Sequence, residues 1–383
     1  MEIKTLGELC NIVSGGTPLR SKPEYWNNGT IPWIKIGDMK GKYINNADEC
    51  ITQAGLDSSS AKMLPKGTIL YTIFATLGDV GILEINASTN QAIAGLTIKD
   101  NSQILSEYLY YYLKSKKGYV KTIGRGVAQS NINMSILKSF QVPLPTSLKQ
   151  KEIVDILDKI TNIIKYRQQE LHMLDNLIKA RFVEMFGHQS HNEKSLPYMT
   201  IDDVAEIYLG ITHTPTYVDS GVIFISAKNT SGDFLDLSDV KYISREEFEG
   251  APKGSKPKAN DVLFSRVRSN LGHPVILEEE LELCTFVSLG FLRSKGTVTS
   301  NYLKHWMRDE FFARQVSEHV KGGGQPNLNT GWLKEFKIIV PDMDQQKKFD
   351  AFCCQIDKSK ATVQKALDET QLLFDSLMQQ YFG

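Results

Sequence analysis

Side chains able to contact a polyanion or the edge of a base are gathered in a few short segments of this chain. Arg266-Val267-Arg268-Ser269-Asn270-Leu271-Gly272-His273 follows a β-rich run and carries two guanidiniums and an amide. Arginine pairs bidentately with guanine and asparagine with adenine, each contact giving about 1–3 kcal/mol of discrimination, so Arg266, Arg268 and Asn270 are candidate DNA contacts. The same residues equally suit a solvated strand face, with the arginines ion-paired to Glu278, Glu279 and Glu280. Two glycine-rich loops, Gly124-Arg125-Gly126 and Lys321-Gly322-Gly323-Gly324, precede Gln129 and Gln325. Glycine lets backbone approach a phosphate and the adjacent cation neutralises it, which brings in Arg125, Gln129, Lys321 and Gln325. Asn133 and Asn329 nearby read better as helix caps. Two polar turns, Ser14 to Lys22 and Gly210 to Pro215, offer Thr17, Arg20, Lys22, Thr212 and His213 for backbone contacts, or serve only to shape the turns. Lys35, Lys228 and Asn229, at the ends of apolar strands, complete the set. Trp26 and Trp33 read as core or rim packing in preference to base stacking.

Motifs that would make the chain an enzyme are missing. There is no Gly-x-x-x-x-Gly-Lys-Ser/Thr, and Gly322 to Gly324 lack the Lys-Ser that would follow; no Gly-x-Gly-x-x-Gly follows a strand. The Asn-Pro-Pro-aromatic signature similar to adenine methyltransferase sites is absent, and Asp38-Met39-Lys40 has no carboxylate partner for metal-dependent hydrolysis. The seven histidines show no zinc spacing and the five cysteines no Cys-x-x-Cys, so no metal site or disulfide framework is expected. Forty-four Lys plus Arg balance forty-four Asp plus Glu, which disfavours a free-standing basic polyanion binder and leaves any nucleic-acid role to local patches or partner subunits. The odd cysteine count fits a reducing cytoplasm, and no stretch approaches the roughly 18 apolar residues of a spanning helix, so no membrane insertion is expected.

The elements that must position these residues come in duplicate. Offset by 196, residues 129–187 align with 325–383 without a gap and with fifteen identities, among them Asn131/Asn327, Leu137/Leu333, Gln150/Gln346 and the terminal Phe186-Gly187/Phe382-Gly383. The opening segments match as well, Thr5 to Gly15 with Thr200 to Gly210, and Ser106-x-Tyr108-Leu109 with Ser300-x-Tyr302-Leu303. Residues 1–146 and 199–341 read as mixed α/β, with strands such as Ile31 to Ile36, Thr68 to Phe74, Val222 to Ser226 and Asp261 to Val267 punctuated by Gly, Pro and Asn. Residues 147–187 and 342–383 read as long helices, with 188–198 as a linker.

In the first helix Ile153, Leu157, Ile160, Ile164, Arg167, Leu171, Leu174, Ile178, Arg181 and Met185 form a seam of alternating three- and four-residue steps. In the second the seam is Phe349, Cys353, Ile356, Lys360, Val363, Leu367, Thr370, Phe374, Leu377 and Tyr381. Such a repeat predicts an antiparallel coiled coil between the two; an amphipathic helix lying on its own domain is the alternative. Arg167, Arg181, Lys360 and Thr370 suit register-setting or subunit contact. A seam of this length spans roughly 50 Å at 1.5 Å per residue, which would set two unlike, pseudo-twofold-related domains more than one turn apart on duplex DNA.

Leu6-Gly7-Glu8-Leu9 through Gly15-Gly16-Thr17-Pro18, Ile31 to Ile36 with Gly37-Asp38, Lys66-Gly67-Thr68-Ile69-Leu70, Gln129-x-Asn131-Ile132-Asn133, and Val142-Pro143-Leu144-Pro145 followed by Gln150 and a long helix together resemble the specificity subunit of Type I restriction-modification systems. The resemblance runs over essentially the whole chain and, with two copies, matches the full-length form. It implies an α/β (α+β) fold with target recognition domains at 1–146 and 199–341 and two spacer helices. It implies a non-catalytic subunit: each domain reads half of an asymmetric bipartite target in double-stranded DNA. The helices set the spacing and dock two methyltransferase (modification) subunits, and restriction/translocase subunits join where the system has them. S-adenosylmethionine, ATP and Mg would then be used by partner subunits and not by this chain. The second copy departs from the first, with Ser226-Ala227-Lys228-Asn229 against Lys35-Ile36-Gly37-Asp38, which leaves base preferences open. A self-contained DNA-modifying or nuclease enzyme, and a protein-only coiled-coil scaffold, are the other readings.

Overall fold

A computed structural model of the chain describes residues 2–124, 131–267, 270–319 and 327–383. It divides into two compact units, Met1–Gln168 with Lys365–Gly383, and Gln169–Gln364. The boundaries fall inside the long helices and not at their junctions with the α/β domains, because each unit takes half of both helices into its core.

The first unit holds β1 (Glu2–Thr5), β2 (Cys10–Ser14), β3 (Ile31–Ile34), β4 (Tyr43–Ile44), β5 (Glu49–Ile51), β6 (Ile69–Thr72), β7 (Val80–Leu83), β8 (Ser88–Thr89), β9 (Ile93–Ile98) and β10 (Gln141–Leu144). They form a sheet in the order β2-β9-β6-β7-β4, a smaller one in the order β5-β3-β8, and the pair β1-β10. β6, Ile-Leu-Tyr-Thr, is buried at every position, as a central strand covered on both faces requires. The helix Ser106–Ser115 buries Tyr108 through Leu113, so it is enclosed all round and not amphipathic.

The second unit repeats this plan with β11 (Tyr198–Thr200), β12 (Ala205–Leu209), β13 (Tyr217–Val218), β14 (Val222–Ile225), β15 (Lys241–Ile243), β16 (Val262–Ser265), β17 (Pro274–Ile276), β18 (Leu283–Thr285), β19 (Leu289–Ser294) and β20 (Lys337–Ile339). The orders are β12-β19-β16-β17, β13-β15-β14-β18 and β11-β20. β3 runs parallel to β8 as β14 does to β18, and the duplication read in the sequence is therefore a duplication of topology. At the matched turns Gly15 and Gly210 sit so close to the neighbouring backbone that a Cβ would lie 2.1 Å from the Asn90 oxygen and 2.3 Å from Phe286. Glycine is needed at both for that approach.

The long helices run Ser147–Phe186 and Met343–Phe382, and all twenty seam positions are buried or half-buried. In the first unit Leu157, Ile160 and Ile164 share a core with Phe374, Leu377 and Met378. The start of one helix thus meets the end of the other. In the second unit Ile178 and Phe182 share a core with Phe349, Cys353 and Ile356, the reverse combination. Both units therefore show antiparallel pairing. Arg167 adds a polar rivet, donating to the Ala366 carbonyl and to Thr370 Oγ1. The helices also rest on the α/β domains, so the two arrangements weighed from the seam coexist. The repeated Phe-Gly ends explain themselves here: Phe382 packs on Tyr108 at 5.3 Å and Phe186 on Tyr302 at 5.0 Å. Repeated Gln150 and Gln346, both fully buried, accept from Leu105 N and Thr299 N and donate to the Pro145 and Pro341 carbonyls, tying each helix start to its domain. Among the described residues no helix is long and apolar enough to cross a membrane.

Candidate nucleic-acid interface

In the first unit the polar turn after β2 and the end of β3 come together around Glu49, on β5. One Glu49 oxygen accepts from Arg20 Nη1 and the other from Lys35 Nζ at 2.5 Å. These hydrogen bonds hold the Glu49 carboxyl below its usual range, and the bond that Lys35 donates to Glu49 raises the Lys35 ammonium. Thr17 is exposed and its hydroxyl bonds Gln91 Oε1. Lys22 lies 3.4 Å from Tyr25 Oη. Arg20 and Lys35 therefore meet at Glu49, and Thr17 and Lys22 are exposed on the turn that carries Arg20. Glu49 was missed because nothing local distinguishes a strand glutamate that pairs with residues 14 and 29 positions away.

In the second unit Thr212 and His213 are exposed, with His213 Nε2 2.7 Å from Glu247. Lys228 is exposed and pairs with Asp239 at 2.9 Å. Two candidates need correction. Asn229 is 3% exposed; its amide donates to the Asp236 and Asp239 carbonyls and its oxygen accepts from Ser226 N. It organises a turn and has no free edge for a base. Arg266 is 9% exposed and donates to the Leu328 and Val287 carbonyls, which is neither a solvated face nor an ion pair with Glu278–280. Leu328 N donates to the Arg266 carbonyl as Ile132 N does to that of Ile73, so Arg266 occupies the place of a buried isoleucine. Asn270 is half-buried, its amide 3.4 Å from the Ser231 carbonyl. Arg125, Gln129, Arg268, Lys321 and Gln325 lie outside the described residues. Asn133 and Asn329 cap the helices Met134–Lys138 and Thr330–Glu335 by accepting from Ile136 N and Gly331 N.

In the second unit's smaller sheet the exposed Lys241 also places its Nζ 3.8 Å from the Tyr217 ring centroid. Sequence reading passed over it, since a lone Lys-Tyr pair separated by a turn has no motif. What the two surfaces offer chemically is hydrogen bonding and positive charge from unlike side chains on matching frameworks. Among the described residues no group of three or more His, Cys, Asp and Glu is placed to hold a metal ion.

The family model for the Type I restriction modification DNA specificity domain matches residues 1–174 and again 195–369. The chain is 23% identical to the Type I restriction enzyme MjaIX specificity subunit of Methanocaldococcus jannaschii, over 98% of this chain and 91% of that protein. It is 27% identical to the EcoprrI specificity subunit of Escherichia coli over 89% and 84%, and 31% identical to the EcoR124I/EcoR124II specificity subunit of Escherichia coli over 43% and 41%. Among solved structures its fold resembles the Type I restriction-modification S subunit of M. genitalium, with a TM-score of 0.54 at 15% identity and coverage of 100% and 96%.

Proposed function

The chain belongs to the Type I restriction modification DNA specificity family, and from that membership we propose that it is the non-catalytic, sequence-reading subunit of a Type I complex in the cytoplasm. Each α/β domain reads one half of an asymmetric bipartite target, and the paired helices set the gap between the halves. The observation that carries this reading is a duplicated framework bearing unlike polar surfaces: Arg20, Lys35 and Glu49 in one copy, His213, Glu247 and Lys241 in the other. A common scaffold with diverged contacts suits two different half-sites, since base-edge contacts and not the framework carry sequence information.

The helices supply the second role. Ile156, Ile163, Tyr166, Met173 and Leu177 of the first long helix remain 38–65% exposed at steps of three, four and seven residues, outside the seam. An apolar line of this kind supports docking of the two methyltransferase subunits, with restriction/translocase subunits joining where present. S-adenosylmethionine, ATP and Mg would serve those partners. The test is methylome sequencing of cells with and without the gene, and with residues 1–146 exchanged for those of a relative. A bipartite adenine-methylated motif should vanish on deletion and change in one half only on exchange. An unchanged methylome in both cases refutes the proposal.

A further inference from the structure

Among the described residues, Arg20 stands apart from the other exposed cations in how its plane is held. Its guanidinium carbon lies 3.7 Å from the Trp26 ring centroid and 4.9 Å from that of Trp33, and the two indoles meet edge to face at 5.1 Å. Trp33 Nε1 donates to the Gly16 carbonyl at 2.9 Å and Trp26 Nε1 to the Leu19 carbonyl at 3.2 Å. The tryptophans therefore support Arg20 from below and also fasten the turn that carries it. Glu49 takes Nη1; among the described residues no hydrogen bond from Nε or Nη2 is found. A guanidinium has five N–H donors, so most of the fork is unspent, and the side chain is 52% exposed.

Phosphate contact draws much of its strength from positive charge. Here Glu49 offsets part of the charge of Arg20 and Lys35, while stacking fixes orientation. A fork held in plane pairs bidentately with phosphate and with a base edge alike, and the charge offset by Glu49 shifts that balance toward a neutral planar acceptor. In duplex DNA such an acceptor is the O6/N7 edge of guanine in the major groove.

Resting on the sequence-reading role above, we propose that Arg20 is a specificity-determining residue that reads a guanine in one half-site, with Trp26 and Glu49 as positioning residues that orient its fork. This reassigns Arg20 from the backbone contact expected of a polar turn to base readout, and gives Trp26 a part in recognition beyond packing.

The test is methylome sequencing of cells carrying the complete system with single variants of the full chain. Arg20→Lys keeps the charge and loses the fork. It should relax one G·C position in a single half-site, lowering discrimination there by about 5- to 150-fold, with the other half-site and the gap unchanged. Trp26→Ser should relax the same position, and Trp26→Phe, which keeps an aromatic face, should retain it. Glu49→Gln, which still accepts from Nη1, should also retain it, and Glu49→Ala should relax it. The intact second half-site reports that each variant folds and assembles. If Arg20→Lys leaves every base of the motif as selective as before, whether or not methylation slows, the fork reads no base and the proposal is wrong. If the unsubstituted gene directs no motif at all, it is the sequence-reading role itself that fails, a distinct result.

Discussion

Arg20 and Arg266 show how far one residue type can diverge within a single chain. Arg20 is stacked and exposed, whereas Arg266 spends its donors on two carbonyls at a site where the first copy has Ile73. The bonds from Arg266 to the Leu328 and Val287 carbonyls satisfy the guanidinium and explain why an arginine is tolerated there. His305 is a second exchange of this kind: it occupies the position that Tyr111 holds after the matched Tyr302 and Tyr108, and packs 5.3 Å from Phe349. Burial holds its imidazole well below the usual value of 6.5, and Arg308 and Lys304 push the same way. Below pH 6.5 the unfolded chain therefore takes up a proton that the folded chain refuses. The stability associated with neutral His305 is complete above that pH and declines as pH falls beneath it, by up to about 1.4 kcal/mol per pH unit. His305→Phe should flatten the loss of melting temperature between pH 7 and 5.5; an equally steep loss in the variant would show that other groups govern it.

At the level of elements, each α/β domain is latched to a long helix by an ion pair whose sign is reversed between copies. At corresponding positions beyond β3 and β14 stand Lys42 and Asp233. Lys42 pairs with Asp158 at 2.5 Å, and Tyr111 Oη also donates to that carboxylate. Asp233 pairs with Lys360 at 2.9 Å and with Arg308 at 2.8 Å, and Lys360 reaches Asp175 on the first long helix at 2.5 Å. Burial pushes the Asp233 carboxyl up, but Arg308 and Lys360 outweigh it and bring it down to about 2. Lys360 is 8% exposed, and removing one member of a buried network strands the rest. Lys360→Ala should cost about 2 kcal/mol, less than a fully orphaned pair because Arg308 still faces Asp233. Urea denaturation of the full chain measures this, and a cost below about 0.5 kcal/mol would mean that the network is no stronger than a surface pair. In the sequence Lys360 lies in the seam and suits register-setting or subunit contact; that its second carboxylate comes from the α/β domain was not visible, because residues 233 and 360 are joined only by folding.

For the whole molecule, the proposed role makes the length of the helices the quantity to vary. Removal of one heptad from each long helix keeps the seam in phase and shortens it by about 10 Å at 1.5 Å per residue. The gap between methylated half-sites should shrink, or assembly should fail. An unchanged motif from an assembled complex would rule out a spacing role. The duplication, the two long helices and the seam could be read from residues alone because periodicity and self-similarity lie along the chain. All twenty seam residues are buried or half-buried. Tertiary structure alone decided that both helices contribute half their length to each unit, that Asn229 and Arg266 face inward, and that Glu49 and Trp26 gather around Arg20. Burial and cross-strand proximity depend on which distant segments meet, and no local pattern of residue types encodes that.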